Sequence, residues 1–583
     1  MNVFSTLQAK VTAALEALQE RGALAPGLDL SRIGVDPPRD PAHGDAATNA
    51  AMVLARAAKV KPMEIAVPLA EALLADADIL AAEVAPPGFV NLRLAPAFWQ
   101  CQIGVILGAG DDYGRSAMGG GEKVNVEFCS ANPTGPLHVG HARGTVIGDA
   151  LASLLEHAGF DVTREYYVND GGAQIEALAR SVHHRYREIL GDGPGRMPEG
   201  LYPLEELIPV ARKLADEYGR KYLDTDESGW RELFGRAGVE AMLARIREDV
   251  AAAGVIFDRF SSERELIEKG RVDEALAFLE GKGLIYEGTL PPPKGKPDDD
   301  WEAVPQLLFR STEFGDDIDR PLKRSTGAWT YFAADFAYHL DKYRRGFGRQ
   351  IDVWGADHGG YVRRMQAAVR ALSEGDAGLE IILCRLVSLL DGGVPLKMSK
   401  RAGRIVWMRD VIDEVGKDAF RFIMLTRKND APLEFDLQKV IEQSRDNPVF
   451  YVQYAHARIC SVFRNAEAEG FADLLPAVYD ARAAARLGDE AEMNLLRRLS
   501  LFPRTIESAA THLEPHRVAF YLHDVASDFH TLWTRGKELT DLRFLRADDR
   551  ELTAARLALI GATREVLRVG MGLMGVTPVD EMH

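Results

Sequence analysis

Lys123-Val-Asn-Val-Glu-Phe-Cys-Ser-Ala-Asn132-Pro-Thr-Gly-Pro-Leu-His138-Val-Gly140-His141 is the stretch on which the reading of this chain turns. Its first residues alternate apolar and polar as a strand does, and Pro133, Gly135 and Pro136 then enforce a loop. Beyond the loop, Val146, Ile147, Ala150, Leu151, Leu154 and Leu155 fall on one face of a helix. Gly159 ends that helix, and Asp161-Val-Thr-Arg-Glu-Tyr-Tyr-Val168 returns as a second strand. The unit is βαβ, which predicts parallel strands and a right-handed crossover. Gln350-Ile-Asp-Val-Trp-Gly355 supplies a later strand for the same sheet.

Outward from this unit, Val3 to Arg21, Thr48 to Lys59 and Pro62 to Leu74 carry helical spacing, and Gly88 to Leu94 alternates like a strand. Residues 181–248 are charged and helical in pattern, an insertion in the sheet domain, while the Pro/Asp-rich run from Leu290 predicts a solvent loop. Val449 to Asn465, Pro515 to Arg535 and Arg550 to Met574 have the pattern of bundle helices. The expectation is a multidomain α/β protein. It has an N-terminal α+β domain (1–110), a Rossmann-like parallel-sheet core (111–408), a connecting helical segment (409–445) and an all-α bundle (446–583).

The 583 residues exceed what one hydrophobic core holds, and 46% hydrophobic with 27% charged residues is a globular composition. Seventy Lys+Arg against 87 Asp+Glu leave a net charge of -17, which argues against binding nucleic acid through bulk basicity and leaves room for local cationic patches. Cys101, Cys129, Cys384 and Cys460 are far apart with no CxxC spacing, so neither a disulfide framework nor a structural zinc is expected. With no membrane-length apolar run and no leader pattern at Met1-Asn-Val-Phe-Ser, the expected location is cytoplasmic.

His138 and His141 occupy one face of the first helical turn, where free N–H groups and the helix dipole favour an anion. Gly140 between them leaves room for a base or phosphate to approach the backbone. A capped helix with surface histidines would look the same in isolation. The second signal is Lys397-Met398-Ser399-Lys400-Arg401-Ala-Gly-Arg404, whose ammonium groups suit a triphosphate losing pyrophosphate. Alone, this cluster is equally a solvated surface.

Together and in this order, the two motifs resemble the paired ATP signatures of class I aminoacyl-tRNA synthetases. Val126-Glu-Phe-Cys-Ser-Ala-Asn132, Phe314-Gly-Asp-Asp-Ile-Asp-Arg320, Thr330-Tyr-Phe-Ala-Ala-Asp335, Val353-Trp-Gly-Ala-Asp-His-Gly-Gly-Tyr361, His43-Gly-Asp-Ala-Ala-Thr-Asn49 and Glu514-Pro-His-Arg-Val-Ala-Phe-Tyr-Leu522 are similar to arginyl-tRNA synthetases of bacterial type, over essentially the whole chain. The resemblance implies activation of L-arginine with ATP, as its magnesium complex, to arginyl-adenylate. Transfer to tRNA follows, with release of AMP and pyrophosphate.

It implies that His138, His141, Lys397 and Lys400 are catalytic, and that Gly140, Met398 and Ser399 join them in holding ATP. Glu127, Ser130, Asn132, Tyr331, Asp335 and His358 would bind arginine. A guanidinium needs carboxylates that accept forked hydrogen bonds, which the family pattern places at Asp335 and Glu127 with Tyr331 one turn before. Ser130 and Asn132 would hold the α-amino and carboxylate groups. Asn49 and Arg401 would contact tRNA, as would Tyr451 and Tyr454, with Lys342-Tyr-Arg-Arg345 as further cations and His456 and Trp533 as further stacking faces. Without the motif context, Asp335 reads as a surface carboxylate and Tyr331 as a core aromatic. A monomer that requires tRNA before it activates arginine is the implied working state.

Two features depart from the commoner family pattern: both loop lysines are present, and His43 to Ala46 stands where aromatic residues are more usual. A cysteinyl-type enzyme should carry zinc-ligating cysteines at suitable spacing. A nucleotidyltransferase without tRNA would not need two end domains, and a silent tRNA-binding paralogue need not keep both histidines and both lysines.

Overall fold

The computed structural model describes residues 2–290, 305–323, 331–396 and 405–582. The expected solvent loop after Leu290 and the cluster 397–404 therefore lie outside the described residues, and so does the side chain of Tyr331. The chain forms two compact units, one of residues 1–118, 157–159 and 443–583, the other of residues 119–156 and 160–442.

In the first unit, helix α1 (Val3–Glu20) opens at Asn2, whose side chain accepts the Phe4 N–H at 3.0 Å. Gly22, at φ 72°, takes the left-handed turn just past its end. With α2 (Ala50–Ala58) and α3 (Pro62–Leu73) it accompanies an antiparallel sheet of β1 (Val35–Asp36), β2 (Ala46–Thr48), β3 (Ile79–Ala85) and β4 (Phe89–Leu94), in the order β1-β2-β4-β3.

The second unit is built on a five-stranded sheet. Strand β5 (Lys123–Glu127) leads through α4 (Val139–His157) to β6 (Asp161–Val168). The six apolar residues expected on one face of α4 are all buried. Helices α5 (Ala173–Ile189), α6 (Leu207–Tyr218) and α7 (Glu227–Ala252) follow, sharing a core of their own that includes Leu178, Tyr186, Leu207, Trp230 and Phe234. Strand β7 (Arg259–Ser262) is followed at once by the short α8 (Glu263–Glu268). A small antiparallel sheet of Ile285–Gly288, Gln306–Phe309 and Arg320–Pro321 precedes α9 (Tyr331–Arg344). The sheet then resumes with β8 (Arg349–Gly355), α10 (Val362–Leu372) and β9 (Gly378–Cys384).

The strand order is β9-β8-β5-β6-β7, and every neighbouring pair is parallel. The chain moves from β5 to one side and later returns to its other side through β8. That reversal makes the crevice beyond the carboxyl ends of β5 and β8 the place where such sheets bind ligands. A separate sheet pairs β10 (Val387–Asp391) with β11 (Val394–Pro395) and, in parallel, with β12 (Leu433–Asp436). The connecting segment 409–445 holds, beside its helices, the strand β12. At four residues β12 shows too little alternation to be read from sequence.

The rest of the first unit is helical: α11 (Pro448–Ala468), α12 (Glu490–Ser500), α13 (Phe502–His512), α14 (His516–Glu538) and α15 (Arg550–Leu573). N-terminal and C-terminal residues are joined here. Tyr113 stacks on Phe502 with ring centroids 5.8 Å apart and donates to the Leu499 carbonyl, Gln100 donates to Leu487, and Arg497 pairs with Asp45. No helix among the described residues is long and apolar enough to cross a membrane.

Candidate active site

Glu127 closes β5, and the backbone turns sharply after it: Cys129 and Ser130 both sit at positive φ, 68° and 34°. Non-glycine residues rarely hold that conformation, and here it stands at the mouth of the sheet. The turn lets Ser130 Oγ donate to Glu127 Oε1 at 3.0 Å while accepting the Tyr167 N–H at 3.1 Å. Asn132 donates to Gln174 Oε1 at 2.7 Å.

The two histidine rings stack with centroids 3.9 Å apart. The Gly140 N–H donates to His138 Nδ1 at 3.1 Å, which leaves the proton of the neutral ring on Nε2. A Cβ at position 140 would lie 2.8 Å from the His138 ring, so this glycine makes room for the folded-back imidazole itself. The Leu137 N–H donates to Asp249 Oδ2 of α7, at 3.1 Å.

The segment just after the lysine cluster is stitched to this motif. Val139 N–H donates to the Val406 carbonyl at 3.0 Å, and His138 and Trp407 form an antiparallel bridge. Arg143, fully buried on α4, donates to the carbonyls of Ala431 and Lys428, both at 2.7 Å, with longer contacts to Arg385 and Arg427. Asp436 caps the β10–β11 turn, accepting the N–H groups of Gly392 and Gly393. Lys397, Met398, Ser399, Lys400 and Arg401 themselves fall outside the described residues.

Asp335 lies one turn into α9, and Tyr361 Oη donates to its Oδ2 at 3.4 Å. Burial pushes the Asp335 carboxyl up to about 7, and the neighbouring Glu263 and Glu127 push the same way. Glu263, the first residue of α8, is buried, and its Oε2 has no hydrogen-bond partner among the described residues. Burial and then Asp170 raise it to about 7 as well. Tyr167, whose hydroxyl is likewise buried without a partner, lies in the field of Glu263, Asp335, Glu127 and Asp170. A group of carboxylates this desolvated is costly unless a cation completes it.

The sequence did not single out Glu263, Tyr167 or Tyr361. Glu263 sits in a charged run that reads as a surface helix. The usable signal was its place directly after a strand of a parallel sheet.

Lys342 belongs elsewhere than expected. It is fully buried, with Nζ 2.7 Å from Glu127 Oε2 and 3.0 Å from Asp352 Oδ1, so it is not a surface cation for phosphates. Arg345 is turned onto Glu165 at 2.8 Å, and Arg344 onto Glu274 at 2.8 Å. His358, in the turn after β8, is exposed at the sheet's carboxyl end.

In the first unit, Asn49 accepts the Gly34 N–H at 2.9 Å. Tyr451 and Tyr454 line a cavity of about 480 Å³ with Phe450, Arg458, His530 and Met582. The Arg458 guanidinium lies 4.1 Å over the Tyr454 ring and 5.1 Å from that of Trp533. His456 is buried and donates from Nδ1 to the Val579 carbonyl at 2.9 Å, a packing role rather than a stacking face. That bond also commits one donor of the His456, Cys460 and Asp580 group, whose ligand-type atoms lie within 4.8 Å of one another.

Three family models match the chain: "Arginyl tRNA synthetase N terminal domain" over residues 5–94, "tRNA synthetases class I (R), catalytic domain" over 102–196, and "DALR anticodon binding domain" over 452–582. The arginine–tRNA ligase of Parvibaculum lavamentivorans is 56% identical over 583 residues, covering 100% of both chains. That of Xanthobacter autotrophicus is 56% identical over 586 aligned residues, again with 100% of both covered. The arginyl-tRNA synthetase structure from Thermus thermophilus superposes with a TM-score of 0.69 at 21% identity, covering 99% of this chain and 100% of that one.

Proposed function

The chain belongs to the arginyl-tRNA synthetases, class I ligases that join arginine to tRNA, and on that premise we propose how its residues divide the work. The observation that carries the arginine pocket is the meeting of half-buried Asp335 with buried Glu127 and Glu263 in one desolvated site, the carboxyls of Asp335 and Glu263 each raised to about 7. Like charges sharing a desolvated site favour a proton or a bound cation, and a guanidinium offers five donors in a planar fork. Asp335 and Glu127 take the guanidinium, with Glu263 and the Tyr361 hydroxyl beside them, and Tyr331 is assigned to the same end of the substrate. Ser130 and Asn132, after β5, take the α-amino and carboxylate end. His358, in the turn after β8, completes the arginine side.

ATP, with magnesium, occupies the side of the histidine pair. A carboxylate oxygen of arginine bonds to the α-phosphorus as the bond to the β-phosphate oxygen breaks, and pyrophosphate departs. His138 and His141 meet the charge that builds on the phosphate oxygens, and Gly140 allows their stacked geometry. Lys397 and Lys400, with Met398 and Ser399 between them, neutralise the departing pyrophosphate. A hydroxyl of the terminal adenosine of tRNA then attacks the arginyl carbonyl and releases AMP. Arg401 and Asn49 contact tRNA, and Tyr451 and Tyr454 offer faces to unstacked bases. The working form is a cytoplasmic monomer.

The testing experiment is Asp335→Asn. Breaking a buried charged pair costs about 3–5 kcal/mol, so KM for arginine rises by two orders of magnitude or more while KM for ATP stays within a fewfold. An unchanged arginine KM would overturn the pocket assignment.

A further inference from the structure

We propose that Tyr167 is a specificity-determining residue, its hydroxyl oxygen accepting one N–H of the bound guanidinium and so helping the pocket tell arginine from lysine. The proposal rests on the reading above that Asp335, Glu127 and Glu263 surround that group.

The register of the sheet brings Tyr167 there. Glu127 of β5 pairs with Glu165 of β6, and Tyr167 of β6 pairs with Ser261 of β7. Residues two apart on a strand share a face, so Glu127, Glu165, Tyr167 and Ser261 point to one side of the sheet. Glu263, which opens α8, follows two residues after Ser261. Helix α9 covers that side. Lys342 meets Glu127 at 2.7 Å, the Tyr338 ring lies 4.3 Å from that of Tyr167, and Arg345, just past the helix, meets Glu165 at 2.8 Å. The Glu263 carboxyl is held close to the loop that leaves β6: a Cβ at Gly171 would lie 3.5 Å from its carboxyl carbon.

The neighbouring tyrosine gives the contrast. Tyr166 points to the other face, packs on Phe257 and Phe260, and donates its hydroxyl to the Ala131 carbonyl at 2.8 Å. The hydroxyl of Tyr167 is buried too, yet it has no hydrogen-bond partner among the described residues, and neither has Glu263 Oε2. Buried polar atoms are seldom left unpaired, because each costs its full desolvation. A planar cation with several N–H donors answers both at once. Burial and then the field of Glu263, Asp335 and Glu127 hold the phenol neutral, well above its ordinary range. It is therefore a constant acceptor at neutral pH.

The same arrangement separates the two basic amino acids. A guanidinium carries five N–H donors on three nitrogens, whereas an ammonium carries three on one. The acceptors come from four elements: Asp335 from α9, Glu127 from β5, Glu263 from α8 and Tyr167 from β6. A point cation seated on one carboxylate leaves the remoter acceptors buried and unpaired. Selectivity of that kind, through groups the wrong substrate cannot satisfy, is the strongest a binding site offers.

Tyr167→Phe isolates the hydroxyl, since it keeps the ring against Tyr338 and the backbone N–H that Ser130 Oγ accepts at 3.1 Å. The readout is arginine-dependent pyrophosphate exchange by the full chain with tRNA present, and inhibition of that exchange by lysine. For arginine, kcat/KM should fall by about 10- to 100-fold, the range for a hydrogen bond to a charged group. The inhibition constant of lysine and KM for ATP should stay near wild type, and the arginine deficit should be the same across the neutral pH range. A purely structural Tyr167 predicts equal losses for arginine and lysine. That result overturns the proposal, and so does an unchanged kcat/KM for arginine. Asp335→Asn, measured beside it, separates the two failures. If it leaves arginine KM untouched, the pocket reading fails and the proposal with it; if it raises KM while Tyr167→Phe changes nothing, the role of Tyr167 alone falls.

Discussion

The backbone N–H of Met408 donates to the carbonyl of Leu137 at 2.8 Å. Through this contact the residues leaving the lysine cluster are laid against those entering the histidine pair. Arg143, early in α4, ties that helix to different segments, donating to the carbonyls of Arg385, Arg427, Lys428 and Ala431. The histidine motif is thus joined by backbone bonds to residues 406–408.

Arg143→Met removes the Arg143 fastening and takes the donor from four carbonyls in partly buried surroundings. Each hydrogen bond lost costs about 0.5–1.5 kcal/mol net, so the loss should reach roughly 1–3 kcal/mol. Denaturant unfolding should show it, and kcat should fall in the variant that remains folded. A variant with wild-type stability and kcat would show that the fastening is dispensable.

Arginine affinity should depend on pH through Asp335 and Glu263. Both carboxyls sit near 7 in the free protein, raised chiefly by burial. A group raised in this way favours the folded state below its unfolded value, and that contribution is lost as pH climbs through about 7. Bound guanidinium reverses the balance by favouring the ionised carboxylates. Arginine binding should therefore release protons, visible by calorimetry in buffers of different ionisation heat. KM should climb by up to about tenfold per pH unit for each proton below neutrality, and the thermal stabilisation given by arginine should be larger above neutrality than below it. Binding without proton release would contradict this.

His141→Ala and Lys400→Ala should lower kcat for pyrophosphate exchange more than they raise either KM. Both groups are assigned to charge that develops only during adenylate formation. Equal losses in ground-state ATP affinity, measured by titration, would count against the assignment.

Tyr454→Ala should weaken tRNA binding, measured by filter retention, by one to two orders of magnitude, since a stacked base is worth about 1–3 kcal/mol. The variant also removes one partner of Arg458, which donates to Tyr454 Oη at 3.0 Å. Tyr454→Phe, which keeps the ring, should retain most of the affinity. Equal losses in the two variants would assign the effect to the hydroxyl instead.

The sheet was legible in the sequence because β5, α4 and β6 carry a strand-helix-strand pattern with a glycine stop at Gly159. The histidine pair was legible because short-range chemistry fixed it: a loop of prolines and glycine, then a helix start. The hidden parts depend on burial. Lys342 belongs to a run, Lys342-Tyr-Arg-Arg345, that looks like a basic patch, and only the packing of α9 on the sheet turns its first member inward between Glu127 and Asp352. Glu263 sits among charges for the same reason, and pattern alone cannot tell the one buried acid from its exposed neighbours. The strand β12 escaped because its partner, β10, is remote in sequence.

The first unit takes residues from both ends of the chain, with Tyr113 on Phe502, Gln100 on the Leu487 carbonyl and Arg497 on Asp45. During synthesis the early half of this unit leaves the ribosome long before its later half exists. At about 5–20 residues per second, the interval is on the order of a minute. Throughout it, the side chains that will meet the helical bundle have nothing to bury them. The nascent chain is therefore exposed to chaperones and proteases at its N-terminal part for longest. Damage to the last helices of the bundle would be felt in the stability of the residues made first.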